Sequence, residues 1–231
     1  MSLLYKFPKV YDWATKKMLE GPNLKDFKEN ICPVFLKIER LPASSIILDL
    51  ACGTGNVALW IAQQRQDVHV LGIDVSEAML ERARVRADEK QLSNVVFLHK
   101  VPLALTSQNI LDCFDVLPNN NAPLDMITCS HGYSAMKVET HQSVFEHTLS
   151  LLKEGGSYVI MDIYLDESHS LASRFFRKFD SMIFGANDGY KKYWLLLKDT
   201  LTDFEIDEVC IKQWGVPTNW YVARGVNKQE S

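Results

Sequence analysis

The chain is poor in cysteine, and none of the five it has are paired in sequence. Cys32, Cys52, Cys113, Cys129 and Cys210 are odd in number, dispersed, and never spaced C-x-x-C. That pattern excludes a disulfide framework and a zinc cage, and predicts reduced thiols in a cytoplasmic protein. The six histidines fall in no H-E-x-x-H or comparable spacing, so no metal is expected. Positive charge is also short: 25 Lys and Arg stand against 29 Asp and Glu, which leaves no electrostatic footprint for nucleic acid. No apolar run is long enough to cross a bilayer. The opening stretch mixes Lys6, Pro8, Lys9 and Asp12 among its apolar residues, unlike a signal peptide. With no repeat, low-complexity tract or linker, 231 residues read as one domain.

What is present is an alternation. Residues 9–41 carry a helical pattern through Phe27, Ile31, Val34, Phe35, Ile38 and Leu41 that stops at Pro42. A buried-strand run, Ile46 to Leu50, leads through small residues into a helix near Asn56, with Val57, Trp60 and Ile61 on its inner face. A second strand, Val68 to Ile73, ends at Asp74. Ser76 is then a plausible N-cap for a helix burying Met79, Ala83 and Ala87. Val95 to Leu98 reads as a third strand. The loop Asn119 to Pro123 precedes a fourth, Leu124 to Cys129. Val144, Thr148 and Leu152 mark a helix closed by Gly155-Gly156, and Ser157 to Ile163 is a fifth strand. After a mostly helical segment, Glu205 to Gln213 and Asn219 to Val226 are strand-like. Too few residues separate them for a crossover helix, so they should pair antiparallel. The fold class is therefore α/β: a Rossmann-like seven-stranded sheet, mostly parallel, with an antiparallel C-terminal hairpin and helices on both faces. Within it, residues 1–42 form a helical cap, 43–167 a cofactor-binding core, 168–200 a helical lid and 201–231 the hairpin.

The chemistry concentrates at Asp49-Leu50-Ala51-Cys52-Gly53-Thr54-Gly55-Asn56, between a strand and a helix. Glycines there let the backbone turn sharply and approach a ligand closely. Asp74 closes the next strand, one helix and one strand further on, where a carboxylate can face a ribose diol. Gly53-Thr54-Gly55-Asn56-Val57-Ala58 also satisfies G-x-G-x-x-A, so an NAD-dependent oxidoreductase fits the spacing. Asp49, however, stands just before the turn. A carboxylate is poorly placed beside a pyrophosphate and well placed toward an ammonium. Charge therefore favours S-adenosylmethionine (SAM), which carries an amine and a sulfonium and no phosphate.

These residues resemble the motifs of class I SAM-dependent methyltransferases. Ile47-Leu48-Asp49-Leu50-Ala51-Cys52-Gly53-Thr54-Gly55 is similar to their first motif. Gly72-Ile73-Asp74-Val75-Ser76-Glu77-Ala78-Met79-Leu80 is similar to their second, and Leu151 to Ile160 to the turn before their fifth strand. The resemblance spans residues 44 to 226, with weaker similarity to the ubiquinone/menaquinone methyltransferases. It implies that Asp49, Ala51, Cys52, Gly53, Thr54 and Gly55 contact the methionine part of SAM, or of the product S-adenosylhomocysteine (SAH). By the same resemblance Asp74 holds the ribose, Val75 and Met79 pack near adenine, and Ser130 lies near the methionine end. Two positions depart from the family. Ala51 replaces the first glycine of G-x-G-x-G. Phe97 to Pro102 lacks the acidic residue that takes the adenine amino group, which passes that contact to the backbone at Lys100 and Val101. Tyr11 matches a short N-terminal Tyr-Asp segment that helps close the cofactor site in the quinone enzymes.

His131, after the fourth strand, is a candidate general base on an acceptor hydroxyl, weighed against a plain loop histidine. Methyl transfer to an already nucleophilic atom needs positioning more than a base. The segment from Ser173 to Asp199 interleaves aromatics with bases. It reads mainly as amphipathic helices, a few of whose residues line a pocket for a quinone-like or lipid-like acceptor or touch a membrane surface peripherally. Gly185 and Gly189 are candidate hinges. The expectation is methyl transfer to a small molecule. A non-catalytic SAM- or SAH-binding module, an NAD-dependent oxidoreductase and a protein or RNA methyltransferase are the alternatives.

Overall fold

The computed structural model describes residues 7–10, 13, 27–114, 123–164, 192–213 and 216–228. Its centre is one sheet in the order β3-β2-β1-β4-β5-β7-β6. The strands are β1 (Ile46–Leu50), β2 (His69–Asp74), β3 (Val95–His99), β4 (Leu124–Ser130), β5 (Leu152–Tyr164), β6 (Thr202–Gln213) and β7 (Val216–Val226). The first five run parallel, and β7 pairs antiparallel with both β5 and β6. All five residues of β1 are buried, because helices cover both faces of a parallel sheet and an apolar run is the composition such a strand needs.

The chain leaves β1 for β2 and β3 on one side, then returns to add β4 and β5 on the other. The strand order therefore reverses between β1 and β4, and the loops after those two strands open a crevice at their carboxyl ends. Around the sheet lie α1 (Cys32–Leu36), α2 (Asn56–Gln64), α3 (Glu77–Glu89), α4 (Ser107–Asp112), α5 (Gly132–Ala135), α6 (His141–Leu149) and α7 (Trp194–Lys198). One contiguous apolar core joins them to the strands.

Three expectations need correction, and the N-cap at Ser76 is met in its position. The helical pattern before Pro42 does not run as one helix: α1 stops at Leu36, because Lys37 is left-handed (φ 47°), and a short tight turn, Ile38–Arg40, follows. The break rotates the face, so Cys32, Leu36 and Ile38 are buried while Val34 is 62% exposed. On α2 the core face is Ala58, Leu59, Ile61 and Ala62. Val57 and Trp60 are only partly buried, because they turn toward the crevice described below. Ser76 holds the N-cap position of α3 without a side-chain capping bond. Leu152 belongs to β5 rather than to the helix before it, and Gly155-Gly156 lie inside the strand. There β5 spends six residues, Leu152 to Ser157, where β4 spends three, Leu124 to Met126, and left-handed Gly155 (φ 77°) lies within the resulting bulge. The hairpin of β6 and β7 is antiparallel as expected, and only positions 214 and 215 separate the strands. The helical lid before Lys192 and the loop through Ala122 lie outside the described residues. No described helix is long and apolar enough to cross a membrane.

Candidate active site

Asp49 is the fourth residue of β1, level with Gly72 on β2 and Thr128 on β4. It is 1% exposed. The Thr128 hydroxyl donates to Asp49 Oδ1 at 2.9 Å, and the Ala58 N–H, in the first turn of α2, donates to Oδ2 at 3.1 Å. Part of its work is thus structural, satisfying a helix N-terminus. Burial outweighs those two donors and pushes its carboxyl up to about 7.

The turn that follows is held from the neighbouring strand. Cys52 N–H donates to Ile73 C=O, extending the β1–β2 ladder, and Gly53 N–H donates to Asp74 Oδ2 at 2.9 Å. Gly53 (φ 54°) and Gly55 (φ 79°) are left-handed, and a methyl on Gly55 would stand 2.9 Å from the Phe97 ring. Ala51 is left-handed too (φ 56°), so the alanine in place of glycine carries backbone strain. The Cys52 sulfur lies under the loop, within 2.9 Å of where a Gly72 side chain would begin. Burial raises the thiol well above its usual range, so it is no nucleophile.

Asp74 ends β2. Its Oδ1 accepts from the Ser76 N–H at 2.9 Å, and its pKa is raised, by burial first, with the Ser76, Gly53 and Val75 amides opposing. Beside it Val75 and Val101 are exposed, while Met79 is buried at the start of α3. Two of the backbone groups expected to meet adenine are already used. The Lys100 N–H donates to Asp74 C=O, and Val101 C=O accepts from Ala104 N–H.

Across the crevice, β4 ends at Ser130, and His131 turns the chain into α5 with a left-handed backbone (φ 56°). Its N–H donates to Met161 C=O at 2.8 Å. A methyl on Gly132 would stand 2.5 Å from the Cys129 sulfur and 2.9 Å from the Ala51 methyl, so the loops after β1 and β4 touch without room for another carbon.

Between those loops is a cavity of about 260 Å³. Asp49, Ala51, Cys52, Gly53 and Thr54 line one wall, Ser130, His131 and Met161 another, with Trp220 and Tyr221 from β7 behind. Cys32, Pro33, Leu36, Asn56, Val57 and Trp60 cover it. Among the described residues no Lys or Arg lines this space, and Asp49 is the carboxylate on its wall. Asp74, Val75, Met79, Lys100 and Val101 lie outside the cavity wall, along the β2 and β3 ends, and Tyr11 is outside the described residues. Among the described residues no group of His, Cys, Asp or Glu could hold a metal.

Sequence reasoning missed Thr128, Trp60, Met161, Trp220, Tyr221 and Asp162. For Asp162 a signal existed: it is the lone carboxylate in the apolar run Tyr158 to Ile163, on the strand that pairs Met161 with Ser130.

A family model described as a methyltransferase domain matches residues 43–200. A demethylmenaquinone methyltransferase of Listeria welshimeri is 27% identical over 128 residues, 55% of this chain and 48% of the relative. The chain thus spans about half the length of the curated relatives it matches. Among solved structures, the geranyl diphosphate C-methyltransferase of Streptomyces coelicolor, in complex with Mg2+, geranyl diphosphate and SAH, superposes with a TM-score of 0.64 at 12% identity. It matches 91% of this chain and 87% of that one. The phosphoethanolamine N-methyltransferase 2 of Haemonchus contortus, in complex with SAM, gives 0.62 at 16% identity, over 87% of this chain and 53% of that one. At these identities the superpositions speak for the fold.

Proposed function

The chain belongs to the methyltransferase domain family, of the class I SAM-dependent kind, and from that premise we propose that it transfers the methyl group of SAM to a small-molecule acceptor. The observation that carries this reading is the crevice itself. Buried Asp49 and half-buried Asp74 flank a left-handed turn at the sheet's switch point, and no basic side chain lines it among the described residues. A cationic donor fits that wall through Asp49.

In this reading Asp49 receives the ammonium of the donor, and the backbone of Ala51 to Gly55 passes close to its methionine part. Asp74 takes the ribose hydroxyls, with Val75 and Val101 beside the adenine. Each carboxylate oxygen keeps a second lone pair beyond the bond that holds the protein together. SAM supplies an electrophilic methyl group on a sulfonium. The protein's share is to hold donor and acceptor in line and dry, worth effective molarities on the order of 10⁵ M or more.

The acceptor in this reading is apolar or amphipathic. Trp60, Trp220, Tyr221, Met161 and Leu36 give the cavity an apolar wall, and the Listeria relative's name points to a quinone-like compound. The setting is cytoplasmic, with no nucleic-acid partner. Calorimetry with SAH and transfer from a labelled-methyl donor to a panel of quinols, phenols and lipids test it. Micromolar SAH binding with label in a small molecule is expected. Tight SAH binding without transfer to any acceptor leaves a binding module, and no SAH binding removes the whole reading.

A further inference from the structure

His131 is held more firmly than a loop histidine needs to be. Its backbone is left-handed, its N–H is bound to Met161 C=O, and its own C=O accepts from the Ser134 hydroxyl at 3.0 Å. The ring stands edge-on to Trp220, with centroids 4.9 Å apart at 81°. Nδ1 lies 3.3 Å from Asp162 Oδ1, while the side chain remains 32% exposed on the cavity side.

Asp162 is the reason to look further. It is 1% exposed near the carboxyl end of β5. Oδ1 accepts from the Ile163 N–H at 2.8 Å, and Oδ2 from the Ser134 N–H at 3.3 Å. The second bond caps α5, as Asp49 caps α2, and a structural role could stop there. It does not require the first oxygen to face an imidazole. A carboxylate surrounded by amide donors is an acceptor only, so the ring nitrogen facing it carries the hydrogen. Nε2 is then the bare lone pair, and among the described residues it makes no hydrogen bond. This is the arrangement by which a buried acid sets the tautomer of a catalytic imidazole and stabilises the cation it becomes.

We propose that His131 is the general base of this site, that Asp162 is its positioning residue, and that the methylated atom of the acceptor is a phenol-like or enol-like hydroxyl. The proposal rests on the methyl-transfer reading above and narrows it. As the acceptor oxygen forms its bond to the methyl carbon, the carbon–sulfur pair returns to sulfur, which ends as a neutral thioether. The hydroxyl proton passes to Nε2, and the resulting imidazolium lies against the Asp162 carboxylate, so the pair goes from one negative charge to none. A hydroxyl with a pKa near 10, that of a tyrosine, is within reach of an imidazole in such a step, and an aliphatic alcohol is far outside it.

The test begins on the full chain without an acceptor. Long-range ¹H–¹⁵N spectra, with the His131 signals assigned by their loss in His131→Gln, are expected to show a single Nδ1–H tautomer. In Asp162→Asn the population should shift to Nε2–H while backbone amide spectra stay native, and Asp162→Glu should restore part of the original form. A wild-type ring that is Nε2–H or rapidly averaging, or one indifferent to Asp162→Asn, overturns the dyad. For the acceptor class, ¹⁹F spectra of 4-fluorophenol with saturating SAH should show binding that weakens tenfold or more in His131→Gln. Equal binding by both proteins, or by neither, overturns the phenolic assignment. SAH calorimetry on the wild type reports the donor site separately, so failure of the dyad and failure of the methyl-transfer reading are distinguishable.

Discussion

The donor site should respond to pH because Asp49 does. Its carboxyl, lifted to about 7 by burial, changes charge in the middle of the accessible range. If the ionised form is the one that receives the donor's ammonium, the apparent Kd rises as pH falls, in inverse proportion to the ionised fraction. Between pH 8 and pH 6 that fraction drops from about nine-tenths to about a tenth, which predicts roughly tenfold weaker binding, or about 1.4 kcal/mol. A carboxyl at the ordinary value of 3.8 would give no change over the same range. SAH is the suitable probe, since it keeps the ammonium and lacks the sulfonium. Isothermal titration at half-unit steps is the assay. Asp49→Asn should bind weakly with a flat profile. His131 lines the same cavity, so His131→Gln is titrated alongside and should keep the slope. A flat wild-type profile, or the same drop in Asp49→Asn, refutes the reasoning.

The unliganded protein should show the opposite trend. Asp49 folded binds its proton more tightly than Asp49 unfolded, so its contribution to stability is full below pH 4 and is lost as pH rises through 7. Urea melts should show that slope reduced in Asp49→Asn. Asp74→Ala removes a charge-assisted bond and should cost roughly 1.5–3 kcal/mol of SAH affinity; unchanged affinity takes Asp74 out of the site. Gly55→Ala forces a methyl against Phe97 at φ 79°, a loss of about 1–3 kcal/mol visible as a lower Tm. Ala51→Gly relieves the strain at φ 56° and should raise stability by about 0.5–1 kcal/mol, or a few degrees in Tm; a fall would show that the alanine methyl packs usefully against Gly132.

The succession of strands and the glycine turn after β1 were legible because they rest on local signals: apolar runs of strand length, glycines at the end of one strand, and an acid at the end of the next. The hairpin was legible for a related reason, since too few residues separate its strands for a crossover. What escaped depends on contacts between distant segments. Periodicity cannot show that Lys37 turns left-handed and rotates the helix face, or that Val57 and Trp60 face a cavity rather than the core. The bulge at Gly155 is invisible until β4 supplies the register that counts the extra residues. Thr128 and Asp162 are single polar residues in apolar strands, and their partners are Asp49 on the neighbouring strand and His131 just past the end of one. A lone carboxylate in such a run marks a satisfied buried group, but sequence alone does not say which partner satisfies it.

The contact at Gly132 has a bearing on how substrate choice can change in this fold. Because that glycine leaves no gap between the Cys129 sulfur and the Ala51 methyl, the bend after β1 and the bend that carries His131 pack as one jaw. A residue swap in the jaw distorts both halves together. Under the proposed methyl transfer, new acceptors would be accommodated away from that jaw, by resizing Leu36 or Trp60 in the cover or Trp220 behind it.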